Sequence, residues 1–192
     1  MILKIVKYGE PVLRKKGARI ESITPRIKTL IADMFETMYA NKGVGLAAQQ
    51  VGEALQLTVL DVRGVTDRPS TLELNGQPAD VHGFMPLVLI NPELRPFGEP
   101  MTGPEGCLSF PEIYADITRS EGVDVKALDK NGKPIEFRCG GLLARAVQHE
   151  ADHLRGVLFI DLMTKKTKEE LRPELEMLKE ETMVGMQIAR KK

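Results

Sequence analysis

The chain reads as an α+β fold, and three observations carry that reading. An apolar stripe at helical spacing fills residues 25–40. A second helical segment at about 142–154 carries two histidines four residues apart. Between the two lies a succession of strand-like runs broken by Gly, Pro and Asn turns. At 192 residues the chain can bury one sizeable core. Its 27 basic and 27 acidic residues balance, so no global charge bias points to DNA or to an anionic membrane surface. Its two cysteines, Cys107 and Cys139, are too few for a secreted disulfide scaffold. No stretch approaches a signal peptide core or a membrane span. The expectation is a soluble, cytoplasmic protein.

In chain order, residues 2–6 suggest a short strand, and Arg14-Lys15-Lys16 a solvated irregular segment. Thr24 and Pro25 form a cap and a proline at the first helical position. Ile27, Leu30, Ile31, Met34, Phe35 and Met38 then make one apolar face, so residues 25–40 read as an amphipathic helix stopped by Asn41-Lys42-Gly43. The segment Gly43-Val44-Gly45-Leu46-Ala47-Ala48-Gln49-Gln50 lacks the Lys-Ser/Thr ending of a phosphate loop and the third glycine of a dinucleotide fingerprint. It reads either as a tight connection or as backbone that can approach a ligand closely, with Gln50 as a polar tip. Residues 56–62 read as a strand, and the turn-rich 63–85 as a long surface flap with a small hairpin near Leu72 and Leu74. His82 is expected exposed in that flap. Residues 87–91 read as a strand ending at Pro92, and 104–111 as an irregular segment. Residues 113–119, 122–128 and 134–138 read as strands, the last two joined by a turn at Asn131-Gly132. Cys139-Gly140-Gly141 switches into the histidine helix, Gly156 ends it, and 157–162 suggest a short buried strand. In the tail, Thr167 and Glu170 have capping-box spacing, and Pro173 suggests that the regular helix starts near there.

The helix at 142–154 contains Gln148-His149-Glu150-Ala151-Asp152-His153. Residues four apart lie one turn above each other, so His149 and His153 can reach one cation. Glu150, beside the first histidine, can hold a water activated there and take its proton. A histidine three residues after Gly156 would complete one known ligand set, but that position is Phe159. Glu169 or Glu170 would complete another, yet the strand-like 157–162 and a short charged segment intervene. Cys107 would complete a Cys-His-His set with one coordination position open to water, as catalytic sites require. Cys139, about three helical turns before His149, is held too far away and reads as a core or surface thiol.

Three motifs are then in order: residues 43–50, Glu105-Gly106-Cys107-Leu108-Ser109, and Gln148 through Gly156. With them the chain closely resembles the peptide deformylase family over most of residues 1–165. The resemblance implies antiparallel β-sheets packed around a central metal-binding helix, with an N-terminal helix and a C-terminal helix. It implies a single catalytic domain over 1–165 and a helical tail over 166–192. The implied activity is hydrolysis of the formyl group from the N-terminal formylmethionine of nascent polypeptides. It implies Cys107, His149 and His153 as metal ligands, Fe²⁺ as the physiological metal, and Zn²⁺, Ni²⁺ or Co²⁺ as substitutes. Glu150 is then the general acid and base, with the Gln50 amide and the Leu108 backbone N–H as oxyanion donors. Val44, Gly45, Gly106, Leu142, Arg145 and Ala146 match the substrate site, and Glu105 does so while pairing with Arg119 to brace the Cys107 loop. A monomer without membrane or DNA partners is expected. For the tail, the resemblance implies docking at the ribosome, whereas its mixed charges suit a solvated helix.

There are two departures from the family pattern. Arg145 and Ala146 stand where many members carry apolar side chains. Arg145 is expected to lay its stem over the pocket and leave its guanidinium in water. The flap at 63–85 is longer than in compact members, and is expected to cover the peptide channel or to decorate the surface.

Overall fold

A computed structural model describes residues 1–190. Thr24 caps the first helix, its hydroxyl accepting from the Ile27 N–H, and Pro25 opens the helical turn. The helix α1 runs Pro25–Ala40. Its Ile27, Ile31, Met34 and Met38 are buried against Leu46, Leu57, Val59, Val88 and Ile90. Asn41 stops it by donating its side-chain amide to the Thr37 carbonyl at 2.8 Å.

The strands are β1 (Gly45–Ala47), β2 (Leu57–Leu60), β3 (Ser70–Leu74), β4 (Gln77–Pro78), β5 (Leu87–Cys107), β6 (Phe110–Leu128) and β7 (Pro134–Gly140). They form one antiparallel sheet among the described residues, in the order β1-β2-β5-β6-β7-β3-β4. A short helix α2 (Val81–Phe84) precedes β5 and carries the exposed His82. Between β6 and β7, Asp129 Oδ1 accepts from the Asn131 and Lys133 N–H groups at 2.8 and 2.9 Å, which makes the expected turn.

Five expectations need correction here. The strand expected to end at Pro92 continues to Cys107. Past Ile90 it no longer has β2 as a neighbour, and register shifts fall between Ile90 and Glu93 and between Phe97 and Pro100. An edge with bulges tolerates proline, so Pro92, Pro96, Pro100 and Pro104 sit inside a strand. The separate runs 113–119 and 122–128 are one strand, and the irregular 104–111 shrinks to the two-residue turn Leu108-Ser109. Residues 2–6 join no ladder: the Leu3 N–H bonds to Thr37 Oγ1, and the Val6 N–H to the Gln50 carbonyl. Residues 157–162 contain a 3₁₀ turn, Phe159–Asp161, in place of a strand. Burial alone could not separate these alternatives in so short an apolar run.

The histidine helix α3 (Gly141–Leu154) is buried along nearly its whole length. Its start has no side-chain cap of its own. The flap supplies one: Pro69 O accepts from the Leu142 N–H, and Ser70 Oγ from the Leu143 N–H. Gly141 has φ 64°, and a Cβ there would collide with the Pro69 carbonyl. The flap is therefore part of the scaffold as well as of the surface. Leu72 on β3 is 3% exposed and pairs with Cys139 on β7.

The tail forms α4 (Lys165–Glu170) and α5 (Arg172–Arg190). Thr164 caps α4, in place of the expected Thr167. Leu171, Leu175 and Leu178 pack on the cluster around Leu13, Phe110 and Phe159. Beyond them Met183, Val184 and Ile188 are exposed. The expectation for Lys191 and Lys192 lies outside the described residues.

Asn91 ties the N-terminal segment to the sheet. Its side chain accepts from the Ile20 N–H at 2.9 Å and donates to the Ile20 carbonyl at 2.8 Å, both buried. Its φ of 52° is one that Asn tolerates better than most residues. Asn91→Ala should lower unfolding free energy by about 3 kcal/mol, because two buried backbone groups lose partners. A urea midpoint equal to wild type would contradict this.

Candidate active site

The two histidines reach one point because α3 presents residues 149 and 153 on one face, and the end of β5 brings Cys107 to them. The donor atoms of Cys107, His149 and His153 lie within 4.8 Å of one another, so a single cation can touch all three. Cys107 Sγ is 3.3 Å from His153 Nε2. The buried His149 Nδ1 lies 2.9 Å from Glu105 Oε2. Burial opposes ionisation of Glu105, but hydrogen bonds from His149 and Arg119 and the Arg119 charge outweigh it and bring its pKa down to about 2. A carboxylate can only accept, so His149 Nδ1 is the donor, and Nε2 is the ring atom that would face a cation. Burial pushes the His153 pKa well down, whereas at His149 burial is outweighed by hydrogen bonds to Cys107 and Glu105, which push its pKa well up.

Glu150 is 4% exposed, and burial raises its pKa to about 7. Its Oε1 lies against Gly45 so closely that a Cβ there would overlap the carboxylate. Its Oε2 has no protein partner. The glycine of the 43–50 segment thus admits a carboxylate from α3. Gln50, 1% exposed, accepts from the Ala47 N–H through Oε1 at 2.8 Å. That bond turns its NH₂ toward Cys107 Sγ and Ser109 Oγ, each 3.4 Å away. Leu108 lies in the turn after Cys107, and its carbonyl accepts from Lys7 Nζ at 2.8 Å.

A cavity of about 560 Å³ opens on these groups. Val44, Gly45, Leu142, Arg145, Ala146 and Gly106 line it, together with Gln50, Cys107, Leu108, His149 and Glu150. Glu105 also borders it, but both its oxygens are engaged: Arg119 Nε and Arg145 Nη1 donate to Oε1, Arg119 Nη2 and His149 to Oε2. Arg119 Nη1 continues to Asp152 on α3 at 2.8 Å. The Arg145 guanidinium is not in water as expected. It is held by backbone carbonyls of the β5–β6 hairpin, and the side chain is 12% exposed. Cys139 is away from the site, packed between Leu72 and Val123, and burial pushes its thiol up to about 12.

Sequence reasoning missed Lys7, Arg68 and Tyr114, which also line the cavity. Lys7 reaches Leu108 across 101 positions, and no local pattern marks such a contact. Asp152 was visible inside the histidine motif, but its partner Arg119 lies 33 residues away.

Two imidazoles and a thiol around one point, beside a buried and unpartnered carboxylate, define a metal-dependent hydrolase site. A family model for polypeptide deformylase matches residues 2–169, and the chain belongs to that family. A peptide deformylase of Methylacidiphilum infernorum (isolate V4) is 51% identical over 179 residues, 93% of this chain and 94% of its own. One of Opitutus terrae is 45% identical over 170 residues, 88% of each chain. The crystal structure of a peptide deformylase from Legionella pneumophila is 38% identical with a TM-score of 0.78, covering 94% of this chain and 96% of that one. No helix among the described residues is long and apolar enough to cross a membrane.

The two thiols should behave differently. After metal removal, one thiol per chain, Cys107, should react with an aromatic disulfide reagent, while Cys139 stays silent until the protein unfolds. Added divalent cation should slow Cys107. Rapid native-state reaction at Cys139, or a Cys107 rate indifferent to the cation, would contradict the geometry.

Proposed function

We propose that this chain removes the formyl group from the N-terminal formylmethionine of nascent polypeptides by hydrolysis, releasing formate. The carrying observation is the Cys107, His149 and His153 cluster with the Glu150 carboxylate unpartnered beside it. These three residues would hold a divalent cation, which when bound supplies Lewis acidity toward water and the formyl carbonyl. Fe²⁺ is the proposed physiological metal; Zn²⁺, Ni²⁺ or Co²⁺ would fit the same thiolate and imidazole donors.

Glu150 takes the proton of the attacking water and returns it to the departing amine. Its burial suits this role, since a carboxylate with a raised pKa exchanges protons near neutral pH. Charge developing on the formyl oxygen needs donors aimed at it beforehand. The Gln50 amide, fixed by the Ala47 N–H, and the Leu108 N–H at the turn after Cys107 are assigned that role. The methionine side chain lies among Val44, Leu142, Ala146 and the methylenes of Arg145. β1 is an edge strand, paired with β2 alone, and its Gly45 backbone borders the cavity. The peptide backbone would add there as a further strand, in the cavity that Gly106 also lines.

Residues 1–165 are proposed as the catalytic portion of a cytoplasmic monomer, with 166–192 as a helical tail. Any ribosome docking would use the exposed Met177, Met183, Val184 and Ile188 of α5.

The test is formate release from a formyl-Met peptide by anaerobically Fe²⁺-loaded protein, with an acetyl-Met peptide as control. Rapid release with the control untouched is expected; a metal-loaded protein that releases nothing would contradict the assignment. Glu150→Gln should retain stoichiometric metal while kcat falls by about 10²–10⁴-fold. Gln50→Ala should lower kcat by about 10²–10³-fold, on the order of 3 kcal/mol of transition-state stabilisation. Wild-type turnover by either metal-loaded variant would remove that residue from the mechanism.

A further inference from the structure

Arg145 stands one turn before His149 on α3, and its guanidinium spans both strands of the β5–β6 hairpin. Nη2 donates to the Met101 carbonyl at 2.7 Å. Nη1 donates to the Ile117 carbonyl at 2.8 Å and to Glu105 Oε1 at 2.9 Å, with the Gly103 carbonyl at 3.4 Å. The guanidinium lies over Gly103, where an ideal Cβ would be 3.4 Å from Nη2. A Cβ alone at 103 would only touch it, so the γ-carbons of a branched side chain are what would press on it.

Glu105 is also the acceptor that orients His149, through its other oxygen. Arg119 holds the same carboxylate from β6. Arg145 differs because it comes from the helix that carries His149. Arg145, Glu105, His149 and the helical turn between them close a ring of hydrogen bonds and backbone. In such a ring the imidazole cannot rotate without losing its bond to Glu105, and Glu105 cannot shift without losing its bond to Arg145. A histidine on a helix can face a cation in several ring orientations; the closed ring favours one for His149.

We propose that Arg145 is a positioning residue, which fixes His149 for cation binding by clamping Glu105 between α3 and the β5–β6 hairpin. This rests on the assignment of His149 as a metal ligand above. The Arg145 methylenes also line the cavity, and an unbranched stem can do so without the guanidinium.

The test compares wild type with Arg145→Met, which keeps an unbranched stem and removes the donors, and with Arg145→Lys. Lysine keeps the charge but presents a compact head that cannot span Met101, Ile117 and Glu105 together. Each protein is loaded with Co²⁺. Three things are measured: Co²⁺ loss to excess chelator, the Co²⁺ absorption bands, and kcat and KM for formyl-Met and formyl-Leu peptides. Arg145→Met should lose Co²⁺ about 10–100-fold faster, with shifted bands and a kcat lowered by a similar factor. Its KM and its preference for Met over Leu should stay within about twofold of wild type, because the stem is retained. Arg145→Lys should fall between the two. Gly103→Val, outside the cavity, should reproduce the faster Co²⁺ loss by displacing the guanidinium, and it decides the matter if Arg145→Met does not fold. Wild-type Co²⁺ loss and kcat in the variants, with only KM or side-chain preference altered, would overturn the proposal and leave Arg145 as a pocket wall. If wild type itself released no formate, the functional assignment would fail, while the Co²⁺ loss rates would still decide the role of Arg145.

Discussion

The buried carboxylate of Glu105 is the constraint on which the rest of this structure depends. It sits at the end of β5, two residues before Cys107, and accepts from Arg119 on β6 and from Arg145 and His149 on α3. Three elements that share no local sequence are thereby held in one geometry. A carboxylate this far from water is costly unless its acceptor sites are filled. Removing one partner of such a buried pair typically costs about 3–5 kcal/mol, because the other charge is left uncompensated. The network therefore favours one arrangement of hairpin and helix over its neighbours. Asp152 extends it, accepting from Arg119 on one side and from Arg155 on the other.

The reactive groups depend on that scaffold in different ways. His149 is oriented directly by Glu105, and Cys107 follows two residues later on the same strand. Glu150 is set by exclusion: Gly45 leaves room for its carboxylate, and burial holds its pKa near 7. Gln50 is set by its own backbone, since the Ala47 N–H fixes which end of the amide faces Cys107. The flap contributes from outside by capping α3 with Pro69 and Ser70. A segment expected to cover the peptide channel or decorate the surface thus supports the element that carries both histidines.

Much of this was legible in the sequence, where chemistry and periodicity are local. The helix at 25–40 was bounded correctly because cap, proline and apolar stripe agree over one short window. The i and i+4 histidines required one face of a helix, and an open third position pointed to a thiol rather than to a distant glutamate. The failures lie where long-range packing overrides local signals. Proline ended a predicted strand at residue 92, but that strand has a free edge there, which only the sheet order reveals. Residues 157–162 are apolar enough for a buried strand, yet they fold as a 3₁₀ turn beneath the site. The Arg145 guanidinium was expected in water over the pocket because its acceptors are carbonyls 28 to 44 residues away.

The central claim is that Cys107, His149 and His153 alone hold a catalytic cation and leave a position for water. X-ray absorption at the metal edge of the loaded protein tests it most directly. One sulfur and two imidazole nitrogen scatterers, with at least one light oxygen scatterer, are predicted, and the sulfur contribution should vanish in Cys107→Asp. A shell without sulfur, or a closed set of four protein ligands, would contradict the account.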